Sequence, residues 1–344
     1  MSGDPARHPP PPSRTPTSYD VAQRAGVSQS AVSRCFRPGG SIAPETRARV
    51  LKAARELGYQ PNAIASGLKA KRSNLVAVLI SNLTNLYYPE VLAGLTRQLN
   101  ARDNRVLLFA LETEDEVDAA LDQVWRYRVD GAIVAARLSA PQLRAFQRHR
   151  VPVVLYNRWS DGSDPVSSVC CDSPGGERML VDRLLAAGHR RFGLIAGPED
   201  NTVGRSRIEA ARTRLEQAGL TPVVAGGSFD HDSGAQGFRR LMMANDGAID
   251  AVICANDLMA IGAIDAARED FGLDVPRDVS VVGFDGVGPA AWASYRLTTV
   301  RQPVNRMTEA AVGMLLERVA DPDLPPEVRT LTGTLITGAS ARLG

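Results

Sequence analysis

From residue 75 onward, short apolar runs alternate with longer amphipathic segments. The runs have the length of β-strands and cover residues 75–80, 105–110, 131–136, 151–156, 191–197, 251–254 and 279–284. Alternating strands and helices predict parallel sheets covered by helices on both faces, because parallel strands need a crossover connection. Roughly ten such units are too many for one doubly wound domain, so the pattern predicts two lobes with a crevice at the carboxyl ends of their strands.

Polar residues follow several of these runs, where a parallel sheet ends and the chain turns toward a helix. They are Asn82, Asn157, Arg158, Asp172, Asn256, Asp257 and Asp285. Ligands of open α/β sheets bind at this end of the strands. These residues are therefore expected to line the crevice.

The segment before residue 75 has a different pattern. Two short helical patterns flank Gly26, and Ser18 and Ser28 are placed to cap them. A third helix is predicted to begin at Pro44 and to end at Gly58, with Val50, Leu51, Ala54 and Leu57 at the spacing of a buried helix face. Three helices with a tight turn between the first two predict a helix-turn-helix domain.

Charge is distributed unevenly between these two parts. Residues 17–72 contain ten Lys and Arg against three acidic residues, a net charge of +7, whereas residues 73–344 contain 28 basic and 34 acidic residues, a net charge of −6. A basic helical segment on an acidic body is the electrostatic pattern of a nucleic-acid-binding protein.

Several functional classes are disfavoured. The sequence has no run of 18 apolar residues, so no membrane span is predicted. The Pro-rich residues 1–16 lack the apolar core of a secretory signal, which argues against an exported solute-binding protein. The four cysteines lack metal-ligand spacing and are expected to be reduced thiols. No phosphate-binding loop, nucleophile elbow or zinc-protease motif occurs. We therefore expect a cytoplasmic protein with no catalytic residues, no metal and no cofactor.

Short motifs match one family in order and spacing over about residues 17–341, which resemble the LacI/GalR family of bacterial transcriptional repressors. In the basic segment these are Tyr19-Asp20-Val21-Ala22, Ala25-Gly26-Val27-Ser28, Val32-Ser33-Arg34, Thr46-Arg47 and Leu57-Gly58-Tyr59-Gln60-Pro61-Asn62-Ala63. In the body they are Ala187-Gly188-His189-Arg190-Arg191, Cys254-Ala255-Asn256-Asp257, Val281-Val282-Gly283-Phe284-Asp285 and Leu297-Thr298-Thr299-Val300-Arg301-Gln302-Pro303.

The resemblance implies a small all-α helix-turn-helix head followed by a two-lobed α/β core like that of periplasmic binding proteins. The expected divisions are a disordered tail over 1–16, the head over 17–61, a hinge over 62–74 and the core over 75–344. The N-lobe is expected to comprise about 75–171 and 303–330, and the C-lobe about 172–302 and 331–341.

The resemblance also implies that the second head helix enters the major groove of DNA. Gln29, Ser30, Ser33 and Arg34 are expected at its groove-facing positions, and Ser18, Tyr19 and Ser28 at phosphates or in the register of docking. An arginine can pair with the O6 and N7 atoms of guanine. The alternative is that Arg34 is a solvated surface charge.

Residues 62–72 match the family's hinge, which folds on DNA and pairs with its dimer mate in the minor groove. Asn62, Ala65, Leu68 and Lys69 are the expected contacts, with Leu68 wedged between base steps. The purine-repressor branch also has lysine at the Lys69 position, which favours a palindrome with a central CG step. The alternative for Leu68 is a core position. Gly67 is expected to weaken the hinge helix by about 1 kcal/mol, so Gly67→Ala should tighten operator binding.

The expected effector residues are carried over position by position. They are Asn82, Tyr88, Asn157, Arg207, Asn256, Asp285 and Trp292. Four of them have a structural alternative: a loop cap for Asp285, a helix cap for Asn256, a salt bridge for Arg207 and packing for Trp292. A carboxylate, a guanidinium and amides together suit the hydroxyls of a sugar or sugar derivative. A nucleobase or nucleoside is the alternative effector.

The function that the resemblance implies is that of a bacterial, nucleoid-associated DNA-binding regulator, a repressor of catabolic or transport genes controlled by a small effector. A homodimer is expected because two-fold protein symmetry matches palindromic DNA. No leucine heptads follow the last sheet segment, which favours a dimer over a tetramer. Whether the effector induces or corepresses cannot be read from the residues.

Overall fold

The computed structural model describes residues 15–37, 39–60, 72–159, 165–244 and 247–344. Its internal contacts divide the chain into two compact units, Met1–Ser73 and Asn74–Gly344. We describe each unit by itself.

The first unit contains three helices, α1 (Ser18–Ala25), α2 (Gln29–Phe36) and α3 (Pro44–Leu57). Gly26 and Gly58 end α1 and α3 in the left-handed conformation, with φ of 64° and 66°. The helices pack around a small core that includes Val21, Val32 and Val50. The predicted helix-turn-helix is confirmed, with Pro44 in the first turn of α3.

Two details of the head differ from expectation. The N-cap of α1 is Thr17 and not Ser18, because Thr17 and Asp20 form a reciprocal capping box: the Asp20 amide donates to the Thr17 hydroxyl oxygen, and the Thr17 amide donates to the Asp20 carboxylate. Leu51, which fits the helical spacing of α3, is 37% exposed, and Ala53 takes the buried position instead.

The second unit begins with a parallel six-stranded sheet in the order β11-β5-β4-β3-β1-β2. Its strands are β1 (Leu75–Ser81), β2 (Arg105–Leu111), β3 (Gly131–Ala135), β4 (Val153–Tyr156), β5 (Ser167–Cys171) and β11 (Val328–Leu331). The associated helices are α4 (Tyr87–Asn100), α5 (Val117–Tyr127), α6 (Ala140–His149) and α11 (Val304–Ala320). Successive β1 residues point to opposite faces, so Val78 packs in the core with α4 and α11 while Leu79 packs with α5 and α6.

A second six-stranded sheet has the order β12-β10-β9-β8-β6-β7. Its strands are β6 (Phe192–Ile195), β7 (Val223–Ala225), β8 (Ala251–Cys254), β9 (Ser280–Asp285), β10 (Thr298–Arg301) and β12 (Thr334–Ile336). Its helices are α7 (Ser173–Ala186), α8 (Thr202–Gln217), α9 (His231–Ala244) and α10 (Asp257–Glu269). Only β12 in this sheet runs antiparallel to its neighbour.

The chain passes between the two sheets three times in the second unit. It crosses after β5, after β10 and after β11, so residues from both sheets meet at the crossings. The predicted architecture of a helix-turn-helix head and a two-lobed α/β core is confirmed. Within the described ranges, no helix is both long and apolar enough to cross a membrane.

Candidate functional site

One face of α2 is built to stay exposed. Ala31, Val32 and Cys35 are buried against the other helices, and their spacing turns Ser33 and Arg34 outward. The Ser28 side chain accepts a hydrogen bond from the Ala31 amide, which fixes the first turn of α2. A short rigid helix therefore presents a polar and basic surface.

Arg34 lies on this surface with no carboxylate partner among the described residues. Two other arginines of the head, in contrast, already have acceptors. Arg24 forms an ion pair with Glu56 at 3.0 Å, and Arg47 donates to the backbone carbonyls of Cys35 and Gly40 at 3.0 Å each. Arg34 thus has all its donors available for an external acceptor.

The other predicted DNA residues cluster at the amino ends of α1 and α2. The Gln29 amide donates to the Ser18 hydroxyl at 3.3 Å, and the Ser28 and Ser30 hydroxyls are 2.9 Å apart. Tyr19 is 72% exposed. The structure brings these polar groups together, although Gln29 is partly buried by its bond to Ser18. The predicted hinge contacts Asn62, Ala65, Leu68 and Lys69, together with Gly67, lie outside the described residues.

In the second unit, three strands end in residues with positive φ. These are Asn82 after β1 at 55°, Asn157 after β4 at 51° and Asp285 at the end of β9 at 119°. Asn and Asp are the non-glycine residues that best tolerate left-handed backbone, and a φ of 119° is strained even for Asp. Backbone strain of this kind is found at ligand sites, and here it turns polar side chains at the carboxyl ends of the strands.

A buried hydrogen-bonded chain links the two sheets across these ends. Arg207 on α8 pairs with Asp285 at 2.9 Å, and both side chains are 3% exposed. The Gln302 amide donates to the same Asp285 oxygen at 2.7 Å, and the Asn157 amide donates to Gln302 at 3.2 Å. Asn157 follows a strand of the first sheet and Asp285 ends a strand of the second, so this chain joins the lobes.

Arg207 is held by more than its ion pair. Its Nε donates to the Ser173 hydroxyl at 3.3 Å, its Nη1 donates to the Ala255 carbonyl at 2.8 Å, and its guanidinium carbon lies 3.9 Å from the centre of the Phe284 ring. Burial raises the pKa of Asp285, and the charge of Arg207 and the Gln302 hydrogen bond oppose that rise. The predicted alternative for Arg207, a salt bridge, is present in the structure as its pair with Asp285.

Tyr88 enters the same region from α4. It is buried, and its hydroxyl accepts a hydrogen bond at 3.1 Å from Arg158, which also donates to the Asn157 carbonyl at 2.9 Å. Tyr88 is therefore connected to Asn157 through an arginine.

Three predicted effector residues do not belong to the buried hydrogen-bonded chain. Asn256 caps α10 by accepting from the Met259 amide at 3.0 Å and donates to the Phe229 carbonyl at 2.9 Å, so the alternative of a helix cap describes what its amide does. Asn82 is half-buried in the first strand-to-helix loop. Trp292 is 60% exposed and is not part of the buried hydrogen-bonded chain.

Sequence reasoning missed three side chains of this region. Arg158 was expected to line the crevice but was not among the effector residues, and Gln302 directly follows β10, so a stricter reading of strand ends would have made effector candidates of both. Glu177 is the third, a fully buried acid on α7 whose two oxygens have no hydrogen-bond donor among the described residues. Burial raises the pKa of Glu177 to about 8. Its sequence signal is an acid on the helix face that buries Leu180, Val181 and Leu184.

No metal site accompanies these groups within the described ranges, where no three His, Cys, Asp or Glu side chains are grouped to hold an ion. These side chains therefore offer hydrogen bonds, one buried ion pair and aromatic surface, a combination that is typical of sites for small polar molecules.

In the comparison with known proteins, one family profile matches part of each of the two units. The profile of bacterial regulatory proteins of the lacI family matches residues 17–62, and that of the periplasmic-binding-protein-like domain matches residues 181–341. The ribose operon repressor of Escherichia coli (strain K12) is 30% identical over 331 residues, which cover 94% of this chain and 99% of that protein. The HTH-type transcriptional repressor PurR of Pectobacterium carotovorum is 31% identical over 334 residues, covering 95% and 97%.

Solved structures give the same result. The lac repressor dimer bound to operator and the anti-inducer ONPF has a TM-score of 0.85 at 27% identity, covering 95% of this chain and 99% of that one. The complex of the transcriptional regulator CelR with cellobiose has a TM-score of 0.72 at 31% identity, covering 94% and 99%. The chain belongs to the lacI family of bacterial regulatory proteins.

Proposed function

We propose that this protein is a transcriptional repressor that binds a palindromic operator as a homodimer and releases or gains operator affinity when a small effector occupies the crevice of residues 74–344. Its relatives are repressors, and none of the observations on this chain calls for catalysis. Operator binding places its action in the bacterial cytoplasm.

The reading of DNA is assigned to α2. Arg34 has its donors available on an exposed helix face, where a bidentate contact to guanine contributes about 1–3 kcal/mol of discrimination. Ser30 and Ser33 share that face and are available for further base contacts. Tyr19, Ser18 and Ser28 are assigned to phosphates, and residues 62–74 to a hinge that inserts Leu68 into the minor groove.

The observation that carries the effector assignment is the buried chain from Arg207 through Asp285 and Gln302 to Asn157. It joins the two sheets through side chains whose hydrogen bonds a bound molecule can replace. An effector that engages these groups changes how firmly the lobes are held together. Differential affinity for two arrangements of the lobes is what couples an effector to a distant site.

The effector class proposed is a sugar or sugar derivative, because Asp285 and Arg207 can each make paired, charge-assisted bonds to neighbouring hydroxyls. A nucleobase is the second candidate, and the 31% identity with PurR supports it. Trp292 is proposed to border the effector, where stacking on a sugar face or a planar base is equally available to an indole ring.

The test begins with selection of DNA sites from a random pool by the full-length protein. Palindromic sites are expected, with a central CG step if Lys69 acts as in the purine-repressor branch. Arg34→Ala should lose discrimination at one base pair of the half-site. Arg55→Ala removes the same charge from an exposed position of α3 and should lower affinity uniformly. Retained discrimination in Arg34→Ala would refute the assignment of α2.

The effector half is tested by thermal unfolding of the full chain with D-ribose, cellobiose, hypoxanthine and guanine. A compound that raises the unfolding temperature of the wild type should fail to do so for Asp285→Asn and Arg207→Lys. Arg212→Lys serves as the control, because Arg212 forms an exposed pair with Glu209 on the surface of α8. An unchanged response in the Asp285 and Arg207 variants would show that the effector binds elsewhere.

A further inference from the structure

Glu177 is an ionisable residue on the buried face of α7, where its neighbours are apolar. It lies on α7 among the buried residues Gly176, Leu180 and Val181, and it is fully buried itself. Neither carboxyl oxygen has a donor among the described residues. Burying an unsatisfied carboxyl is costly, so a residue without a role would be expected to be lost.

The groups that act on Glu177 come from three neighbouring elements. Arg207 on α8 lowers its pKa, Asp285 on β9 raises it, and Cys254 on β8 has its own pKa raised by Glu177. On its own helix, Ser173 precedes it by one turn and accepts the hydrogen bond from Arg207 Nε. Residues four apart share a helix face, so Glu177 lies on the same face of α7 as Ser173, the face that Arg207 contacts.

The donors of Arg207 are only partly used. Its Nη1 serves both Asp285 and the Ala255 carbonyl, and its Nε serves Ser173. In the described part of the chain Nη2 has no hydrogen-bond acceptor. A guanidinium with a spare donor thus lies within electrostatic range of a carboxyl with spare acceptors.

We propose that Glu177 is a positioning residue of the effector site, the second acceptor for Arg207, which draws the guanidinium away from Asp285 when Glu177 is ionised. The role in effector binding rests on the function proposed above. Two positions of the guanidinium follow: one on Asp285 and one on Glu177. The structure shows the first, in which Arg207 is paired with Asp285 and Glu177 has no hydrogen-bond partner among the described residues.

The raised pKa of Glu177, about 8, decides when each position is occupied. Below that pH the carboxyl is neutral and Arg207 stays with Asp285. Above it the new anion competes for the same cation, the pair that binds the effector is weakened, and effector affinity falls. Isosteric Glu177→Gln stays neutral at every pH and should remove the part of this fall in effector affinity that is due to Glu177.

The test uses the full chain and no effector, so its failure and that of the proposed function remain distinguishable. Thermal unfolding is followed from pH 5 to 10 for the wild type, Glu177→Gln, Arg207→Gln and the double variant. The difference between wild type and Glu177→Gln isolates Glu177, since Asp257, whose pKa burial also raises to about 8, contributes to both and cancels. The difference in unfolding temperature between these two proteins should change with pH below about 8 and stay constant above it.

The decisive comparison repeats this difference in the Arg207→Gln background. If Arg207 is the cation that Glu177 would pair with, its removal should move the break upward by roughly 1–3 pH units, so that the difference still changes between pH 8 and 9. An unmoved break would overturn the proposal, because it would show that the Glu177 carboxyl does not sense the charge of Arg207.

Crystal structures at pH 6.5 and 9.5 give a second readout that does not depend on the stability of the Arg207 variant. The guanidinium should contact Asp285 at the lower pH and Glu177 at the higher, and should stay on Asp285 at both in Glu177→Gln. A wild-type guanidinium that remains on Asp285 at pH 9.5 would equally overturn the proposal.

Discussion

Replacing Asp285 by alanine is expected to destabilise residues 74–344 by about 3–5 kcal/mol, because it leaves a buried arginine without its carboxylate. Arg207 and Asp285 are both 3% exposed, so neither can recover hydration in place. The same change removes the acceptor of the Gln302 amide at 2.7 Å, and a buried donor left without a partner costs about 1–3 kcal/mol. Ser173 and the Ala255 carbonyl still accept from Arg207, which keeps the total within this range.

The double variant Arg207→Met/Asp285→Ala separates the pair from its surroundings. Exchange of both charges for apolar groups is often neutral, so the double variant should be more stable than Asp285→Ala alone. The free energies of unfolding are measured by urea denaturation at pH 7, with circular dichroism as the signal.

Glu209→Ala is the matched control for this measurement, because Glu209 pairs with Arg212 in solvent and its loss should cost at most about 1 kcal/mol. The reasoning is refuted if Asp285→Ala costs no more than Glu209→Ala. It is refuted as well if the effects of the two substitutions at Arg207 and Asp285 simply add.

Three further predictions concern other parts of the chain. Thr17→Ala should destabilise the head by about 1 kcal/mol through loss of the α1 cap, seen as a lower first transition in calorimetry, while exposed Thr15→Ala should change nothing. Arg34→Ala should flatten base preference in operator competition assays, and Arg55→Ala should not. In the wild type, Glu177 should lower the free energy of unfolding by ~1.4 kcal/mol per pH unit between about pH 4.5 and pH 8, because its carboxyl releases the proton at lower pH in the unfolded chain. Glu177→Gln should lack that contribution.

The head could be predicted closely from the sequence because its signals are local. Gly26 and Pro44 fix a turn and a helix start through their own backbone preferences, and both lie where predicted. The cap of α1 was displaced by one residue, since Thr17 and Ser18 are equivalent by type. Only the position of Asp20 three residues after Thr17 selects between them.

The sheets were predicted in kind but not in full. The strands β5, β7, β10, β11 and β12 have no counterpart among the apolar runs, although equally short strands such as β4 and β8 do. β5 reads Ser-Ser-Val-Cys-Cys and is buried throughout, so burial by neighbouring strands and helices, and not its own composition, makes it a strand. The crossing order of the sheets likewise depends on pairing between distant segments.

The candidate site shows the same division. Asn157, Arg207 and Asp285 were named individually, but their connection through Gln302 joins residues about 145 positions apart and follows no local pattern. The unsatisfied carboxyl of Glu177 is recognisable only once α7, α8 and β9 are packed together. Local chemistry identifies candidate residues, and tertiary packing decides which of them touch.

Control of DNA binding by the crevice is tested most directly by operator affinity with and without effector. Fluorescence anisotropy on a selected palindromic site would compare wild type and Asp285→Asn in D-ribose, cellobiose, hypoxanthine or guanine. One compound is expected to change the wild-type Kd by about 5–150-fold and to leave that of Asp285→Asn unchanged. An equal change in both proteins would contradict a role for the Arg207–Asp285 pair in coupling the crevice to DNA.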